Sequence, residues 1–181
     1  MQSLVLSLTL FRILAAPFVF IFTIFMDNYW LAFWLFNLAA ITDFFDGKLA
    51  REFKVESRLG AILDPIGDKL LVLFAIITVL VFTQDIYVAF MGALILAREF
   101  WVSALREYSS THNISNTTMV TFVAKIKTTF QFIALSMFFL GAASNLPLIV
   151  FVAKFTLFIS VLLAIKSAIS YTRGTLFETQ S

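Results

Sequence analysis

Six apolar runs follow one another along this chain, each long enough to cross a bilayer and parted by little polar sequence. They can be drawn from Leu4 to Met26, Trp30 to Leu49, Leu59 to Phe82, Ile86 to Ser103, Met119 to Leu140 and Leu146 to Ile169. A spanning helix needs about 20 such residues, because in lipid every backbone amide must be satisfied within the segment. The rest of the composition agrees: 61% of the 181 residues are hydrophobic, 13% are charged, and 23 are Phe, which no ordinary soluble domain shows. Mean hydropathy is +0.96. The expected fold is an all-α integral membrane bundle of six transmembrane helices. The spans use roughly 120 residues at about 20 each, so residues 1–181 are read as one transmembrane domain, with no nucleic-acid partner.

Orientation follows from the basic residues, which accumulate on cytoplasmic flanks. Lys48, Arg51, Lys54 and Arg58 lie between the second and third runs, and Arg106, Lys125 and Lys127 flank the connection between the fourth and fifth. The three other connections, around Asp27, Asp85 and Ser144, hold no Lys or Arg. Both termini are therefore expected on the cytoplasmic side, in agreement with Arg173. Lys154 dissents from the outer half of the sixth run and reads as a snorkelling side chain. The length of the first run and its Arg12 set it apart from a cleaved leader.

Inside this apolar frame stand four acids. Asp43 and Asp46 are i and i+3 on a helix, with Gly47 at i+4 and Ala50 at i+7, so acids and small residues share one stripe. Gly60, Asp64 and Asp68 form a second stripe with a four-residue repeat. Four carboxylates at the bilayer centre would cost on the order of 10 kcal/mol if each costs about 2.5–3.5 kcal/mol. Cations or a wet cavity must offset that. At 1.5 Å per residue, Arg12, Asp43, Asp46, Asp64, Asp68, Lys69, Arg98, Arg106, Lys125 and Lys127 all fall in the cytoplasmic half, where they can converge on one cavity open to the cytosol.

The chain has no Cys and a single His, His112 in a polar loop, so a thiolate or imidazole zinc site cannot be assembled. Oxygen-only ligands suit Mg²⁺ or Mn²⁺, usually shared with substrate phosphates. Four acids on two helices suffice for two such ions, the arrangement that polarises a phosphoryl group and steadies its leaving oxygen. The glycines let a large polar substrate approach the backbone, and Arg51, one position past the stripe, can reach an anionic oxygen. These features point to a substrate that is both lipid and phosphate.

The pattern D-x2-D-G-x2-A-R-x8-G-x3-D-x3-D resembles the signature of the CDP-alcohol phosphotransferases, and Asp43, Asp46, Gly47, Ala50, Arg51, Gly60, Asp64 and Asp68 match every fixed position. Further blocks look like the bacterial branch that acts on a phosphorylated acceptor: Leu8-Thr9-Leu10-Phe11-Arg12, Asp64-Pro65 with Asp68-Lys69, Ala97-Arg98-Glu99 with Ser103-Ala104-Leu105-Arg106-Glu107, and Lys125-Ile126-Lys127-Thr128-Thr129. Many relatives carry Asn-x-Pro where this chain has Ser3-Leu4-Val5, and often Ala at Gly67, a small-for-small change expected to be harmless.

The resemblance implies the family's bundle and transfer of a phosphatidyl group from CDP-diacylglycerol to sn-glycerol 3-phosphate, with release of CMP. It implies two divalent cations held by Asp43, Asp46, Asp64 and Asp68, with Asp68 also the general base, and a donor wall of Gly47, Ala50, Arg51 and Gly60. Thr9 and Arg12 match the first-helix block and are assigned to the donor contacts, with an interface role as the alternative. A homodimer in the bacterial cytoplasmic membrane, its site facing the cytoplasm, is implied as well.

A phosphorylated acceptor gives the remaining cations a role, since Arg98, Arg106, Lys125 and Lys127 would bind its phosphate and exclude neutral alcohols. Glu99 and Glu107 each follow an arginine and are read as orienting it by pairing. Span six resembles nothing beyond an apolar helix. The same chemistry on another alcohol, as in cardiolipin, phosphatidylserine or inositol-phosphate lipid synthesis, is the alternative that these basic blocks argue against. A cation-coupled transporter fits less well, since the acids cluster at one side and no span is broken by paired Gly or Pro.

Overall fold

A computed structural model describes residues 2–53, 58–112 and 122–176, with side chains described over 6–42, 59–60, 62–112 and 126–175. Among the described residues there are six helices and no strand: α1 (Gln2–Ile24), α2 (Tyr29–Phe53), α3 (Arg58–Thr83), α4 (Ile86–Thr111), α5 (Phe122–Ser144) and α6 (Pro147–Leu176). Five carry apolar stretches long enough to cross a membrane, namely Leu6–Ile24, Ile62–Thr83, Ile86–Thr111, Ile126–Ser144 and Pro147–Thr175. On α2, a helix of 25 residues, the described apolar stretch is Tyr29–Thr42. The chain is an all-helical membrane protein.

Helix ends differ from the apolar runs. Helix α4 continues past Ser103 to Thr111, and α6 past Ile169 to Leu176, because intrahelical hydrogen bonding does not stop where hydropathy falls. The three short connections each turn on one residue in the left-handed region, Asp27 at φ 49°, Gln84 at φ 49° and Asn145 at φ 53°. Such a residue folds the chain back onto the last carbonyls of the helix: the Gln84 amide donates to the Leu80 carbonyl at 2.9 Å and the Leu146 amide to that of Gly141 at 3.1 Å. On the other side of two of these turns, Asn28 Oδ1 caps α2 at the Leu31 amide, 3.0 Å away, and Pro147 opens α6.

The helix faces are those of a protein in lipid. On α1 the outward stripe is Leu10, Leu14, Phe18 and Ile21, whereas the buried stripe is Thr9, Arg12, Ala15, Ala16, Val19 and Thr23. Small and hydroxyl residues at the helix contacts let backbones approach. The first of two compact units comprises Met1–Asp85 with Leu135–Val150. Helix α1 packs along both α2 and α3, and the rings of Phe36 and Phe82 lie 5.4 and 6.2 Å from that of Phe139. Ser136 Oγ donates to Asn37 Oδ1 at 3.0 Å, so a polar pair joins α5 to α2.

The α5–α6 turn has no room for a side chain at Gly141. A Cβ there would stand 2.7 Å from Val150 Cγ2 and 3.2 Å from the Val150 backbone nitrogen. Gly141→Ala is therefore expected to destabilise the protein by about 1–3 kcal/mol, the usual cost of overpacking, read as a lower melting temperature in detergent. An unchanged melting temperature would mean that the turn relaxes freely.

The second unit comprises Ile86–Ala134 with Phe151–Ser181. Its buried face on α6 includes Ala153, Leu157, Ser160, Val161, Ala164, Ser167, Tyr171 and Thr175. Polar rungs tie this face to α4: the Tyr87 hydroxyl donates to the Lys154 carbonyl at 3.3 Å, Trp101 Nε1 donates to Thr172 Oγ1 at 2.9 Å, and the Ser109 and Thr175 hydroxyls meet at 3.5 Å.

Candidate active site

On α3 the two acids stand one helical turn apart on one face, as the four-residue repeat requires. Their partners come from α1. Thr9 Oγ1 donates to Asp64 Oδ1 at 3.3 Å, Arg12 Nη1 lies 3.5 Å from the same oxygen, and Arg12 Nη1 also pairs with Asp68 Oδ1. Thr9 and Arg12 are i and i+3 on α1 and both are fully buried, whereas the Asp64 and Asp68 side chains are 41% and 48% exposed. Each carboxylate thus turns one oxygen to a buried guanidinium and keeps an open side.

Gly67 makes this approach possible. A Cβ at that position would sit 3.3 Å from Ile13 Cγ1, 3.7 Å from Arg12 Cδ and 3.8 Å from Thr9 Cγ2. An alanine there needs only a small shift of the Ile13 side chain, and a larger residue would lever α1 off the acids. Pro65, between the two aspartates, gives no amide to the carbonyl of residue 61 and is carried inside α3.

Two carboxylates one turn apart and open on one side fit a hard divalent cation, whose ligands are oxygens. The donor set is that chemistry, and Arg12 already gathers positive charge against it. The other acids expected in the ligand set, Asp43 and Asp46, occupy i and i+3 on α2 with Gly47, Ala50 and Arg51 after them. Those five side chains, like that of Lys125 on α5, lie outside the described ones. Gly60 is half-buried near the start of α3.

The cations of α4 and α5 form a second group. Glu99 Oε1 accepts from Arg98 Nη1 at 3.0 Å and also from the Lys127 ammonium, and Arg98 Nη2 donates to Ser167 Oγ at 3.0 Å. Arg98 is 7% exposed and Lys127 2%. Arg98 and Lys127, two of the four expected phosphate-binding cations, thus meet at one carboxylate. Glu99 orients its arginine by pairing. Glu107 does not pair with Arg106: among the described residues Arg106 Nη2 instead lies 3.4 Å from the Tyr171 hydroxyl, with the guanidinium carbon 5.4 Å from the ring centroid.

Sequence reasoning missed α6, which supplies Ser167 and Tyr171 to these arginines. The signal was present, since Ser167, Tyr171 and Thr175 repeat every four residues within an apolar helix, and polar groups on such a helix face protein.

Comparison with known proteins then decides the family. The model of the CDP-alcohol phosphatidyltransferases matches residues 5–166. The chain belongs to that family. It is 43% identical over 138 residues to a protein of Cereibacter sphaeroides, covering 74% of this chain and 62% of the relative, so the match spans less than two thirds of that relative's length. It is 39% identical over 132 residues to a protein of Escherichia coli strain K12, covering 71% of this chain and 72% of the relative. Both relatives bear the name CDP-diacylglycerol–glycerol-3-phosphate 3-phosphatidyltransferase. In this CDP-alcohol phosphatidyltransferase, the packing of α1 on α3 is what fixes Asp64 and Asp68.

Proposed function

We propose that the chain transfers the phosphatidyl group of CDP-diacylglycerol to the primary hydroxyl of sn-glycerol 3-phosphate, giving phosphatidylglycerophosphate and CMP. One observation carries the reading. Asp64 and Asp68 are held side by side by a buried arginine and threonine, in a chain 43% and 39% identical to two proteins named for this activity.

In this reading Asp43, Asp46, Asp64 and Asp68 hold two divalent cations, Mg²⁺ or Mn²⁺. When bound, these ions neutralise the diphosphate and stabilise the departing CMP. Asp68 accepts the proton of the attacking hydroxyl, whose oxygen bonds to the phosphorus bearing diacylglycerol while the bond to CMP breaks. Arg12 and Thr9 act through the carboxylates, fixing their rotamers. Gly47, Ala50 and Gly60 leave room for the donor, and Arg51 meets an anionic oxygen. Arg98, Arg106, Lys125 and Lys127 hold the acceptor phosphate and bring its hydroxyl to the site.

The same reading has six spans, both termini on the cytoplasmic side of a bacterial cytoplasmic membrane, a homodimer, and one catalytic domain over residues 1–181. Its test is CMP release from membranes holding the protein, CDP-diacylglycerol and Mg²⁺ with a panel of alcohols. Glycerol 3-phosphate is expected to outperform glycerol at least roughly tenfold, the contribution of one charge-assisted hydrogen bond to phosphate. Equal rates for the two, or a preference for serine or an inositol phosphate, would overturn the choice of acceptor.

A further inference from the structure

We propose that Glu99 is a positioning residue of the acceptor site, holding Lys127 and Arg98 in place so that their surplus charge is offered to one phosphate. The inference rests on the acceptor reading above. A single oxygen, Glu99 Oε1, accepts from both cations, and Ser167 fastens the second terminal nitrogen of Arg98. Arg98 is therefore pinned at both ends of its fork.

A lysine ammonium on a flexible four-carbon stem has no such rigidity of its own, and here Glu99 supplies it. Among the described residues the bond to Glu99 uses one of the three donors of the ammonium. Among the described residues Arg98 and Lys127 share the one carboxylate of Glu99 and Arg106 meets the neutral Tyr171 hydroxyl, so the three cations carry two charges more than that carboxylate. A phosphate monoester carries about −1.5 to −2 at neutral pH. The cluster lacks the charge that such an acceptor brings.

A purely structural glutamate would neutralise its neighbours and no more. The difference appears in kinetics of the purified full-length protein, with both substrates titrated for native, Glu99→Gln, Lys127→Met and the double variant. Glu99→Gln keeps the shape and an acceptor oxygen but loses the charge. It is expected to raise the KM for glycerol 3-phosphate about tenfold and to leave the KM for CDP-diacylglycerol within about twofold.

The double variant is expected to fall well short of the product of the two single effects, because residues acting through one contact are not additive. Glu99→Asp, which keeps the charge on a shorter stem, is expected to recover part of the loss. It also carries the cycle should Glu99→Gln fail to accumulate. An unchanged acceptor KM in Glu99→Gln, or single effects that multiply in the double variant, overturns the proposal. Should the native protein use another alcohol and not glycerol 3-phosphate, the acceptor reading fails, and the same cycle is run on that alcohol. Coupling between positions 99 and 127 would then still support positioning, and multiplicative effects would overturn it.

Discussion

Asp64→Asn and Asp68→Asn are each expected to lower CMP release by roughly 10²- to 10⁴-fold, the range for removing an acid–base group, while the protein still inserts and accumulates. The substitution keeps the size of the side chain and takes away the charge that a hard cation requires. Stability should change little, because each carboxylate is close to half exposed and the other acid still faces Arg12. Asp68→Asn is expected to be the more severe, since it would remove both a ligand and the base. Asp43→Asn and Asp46→Asn carry the same expectation. The measurement is turnover against Mg²⁺ concentration, with protein level in the membrane as control. Near-native turnover in both α3 variants would remove the acids from the chemistry.

The second large effect is expected at Arg12, which reaches both acids of α3. Arg12→Met leaves two carboxylates facing a buried hole lined by α1. Breaking a buried ion pair from one side costs about 3 kcal/mol at the low end, and the low end applies because these carboxylates can still take up water. Turnover should fall by roughly 10²-fold, the penalty for a misplaced reacting group. The Mg²⁺ needed for half-maximal activity should fall too, because a competing positive charge has gone. Arg12→Lys keeps the charge but not the planar fork that serves two carboxylates, and should land between. Native melting temperature and native turnover in Arg12→Met would show that Arg12 does not organise the site.

Much of this was legible in residues alone, and the part that was not has a physical reason. Five helices apolar enough to cross a membrane follow from hydropathy, and the pairing of Asp64 with Asp68 from a four-residue period. Which side chain faces which acid does not follow, because Thr9 and Arg12 meet Asp64 and Asp68 across 55 and 56 residues of sequence. Residue type and depth place a guanidinium in the right layer of the membrane without naming its partner. Arg106 illustrates the limit: Glu107 follows it in sequence as Glu99 follows Arg98, yet among the described residues Arg98 pairs with its neighbour whereas Arg106 meets Tyr171 on α6. The rungs of α6 were readable by the rule that exposes the acids, applied to hydroxyls in place of carboxylates.

The rungs between α4 and α6 also bear on how the protein is made. Arg98 and Ser167 are 69 residues apart, so α6 leaves the ribosome after α4. At about 5–20 residues per second, α4 waits roughly 3 to 14 s for the hydroxyls that complete its polar face. During that interval lipid gives its polar side chains no bonding partner, so water and headgroups reached by snorkelling must serve. Arrival of α6 is then the step that completes these contacts, and any stop before Ser167 leaves α4 with an arginine that lacks its hydroxyl partner on α6.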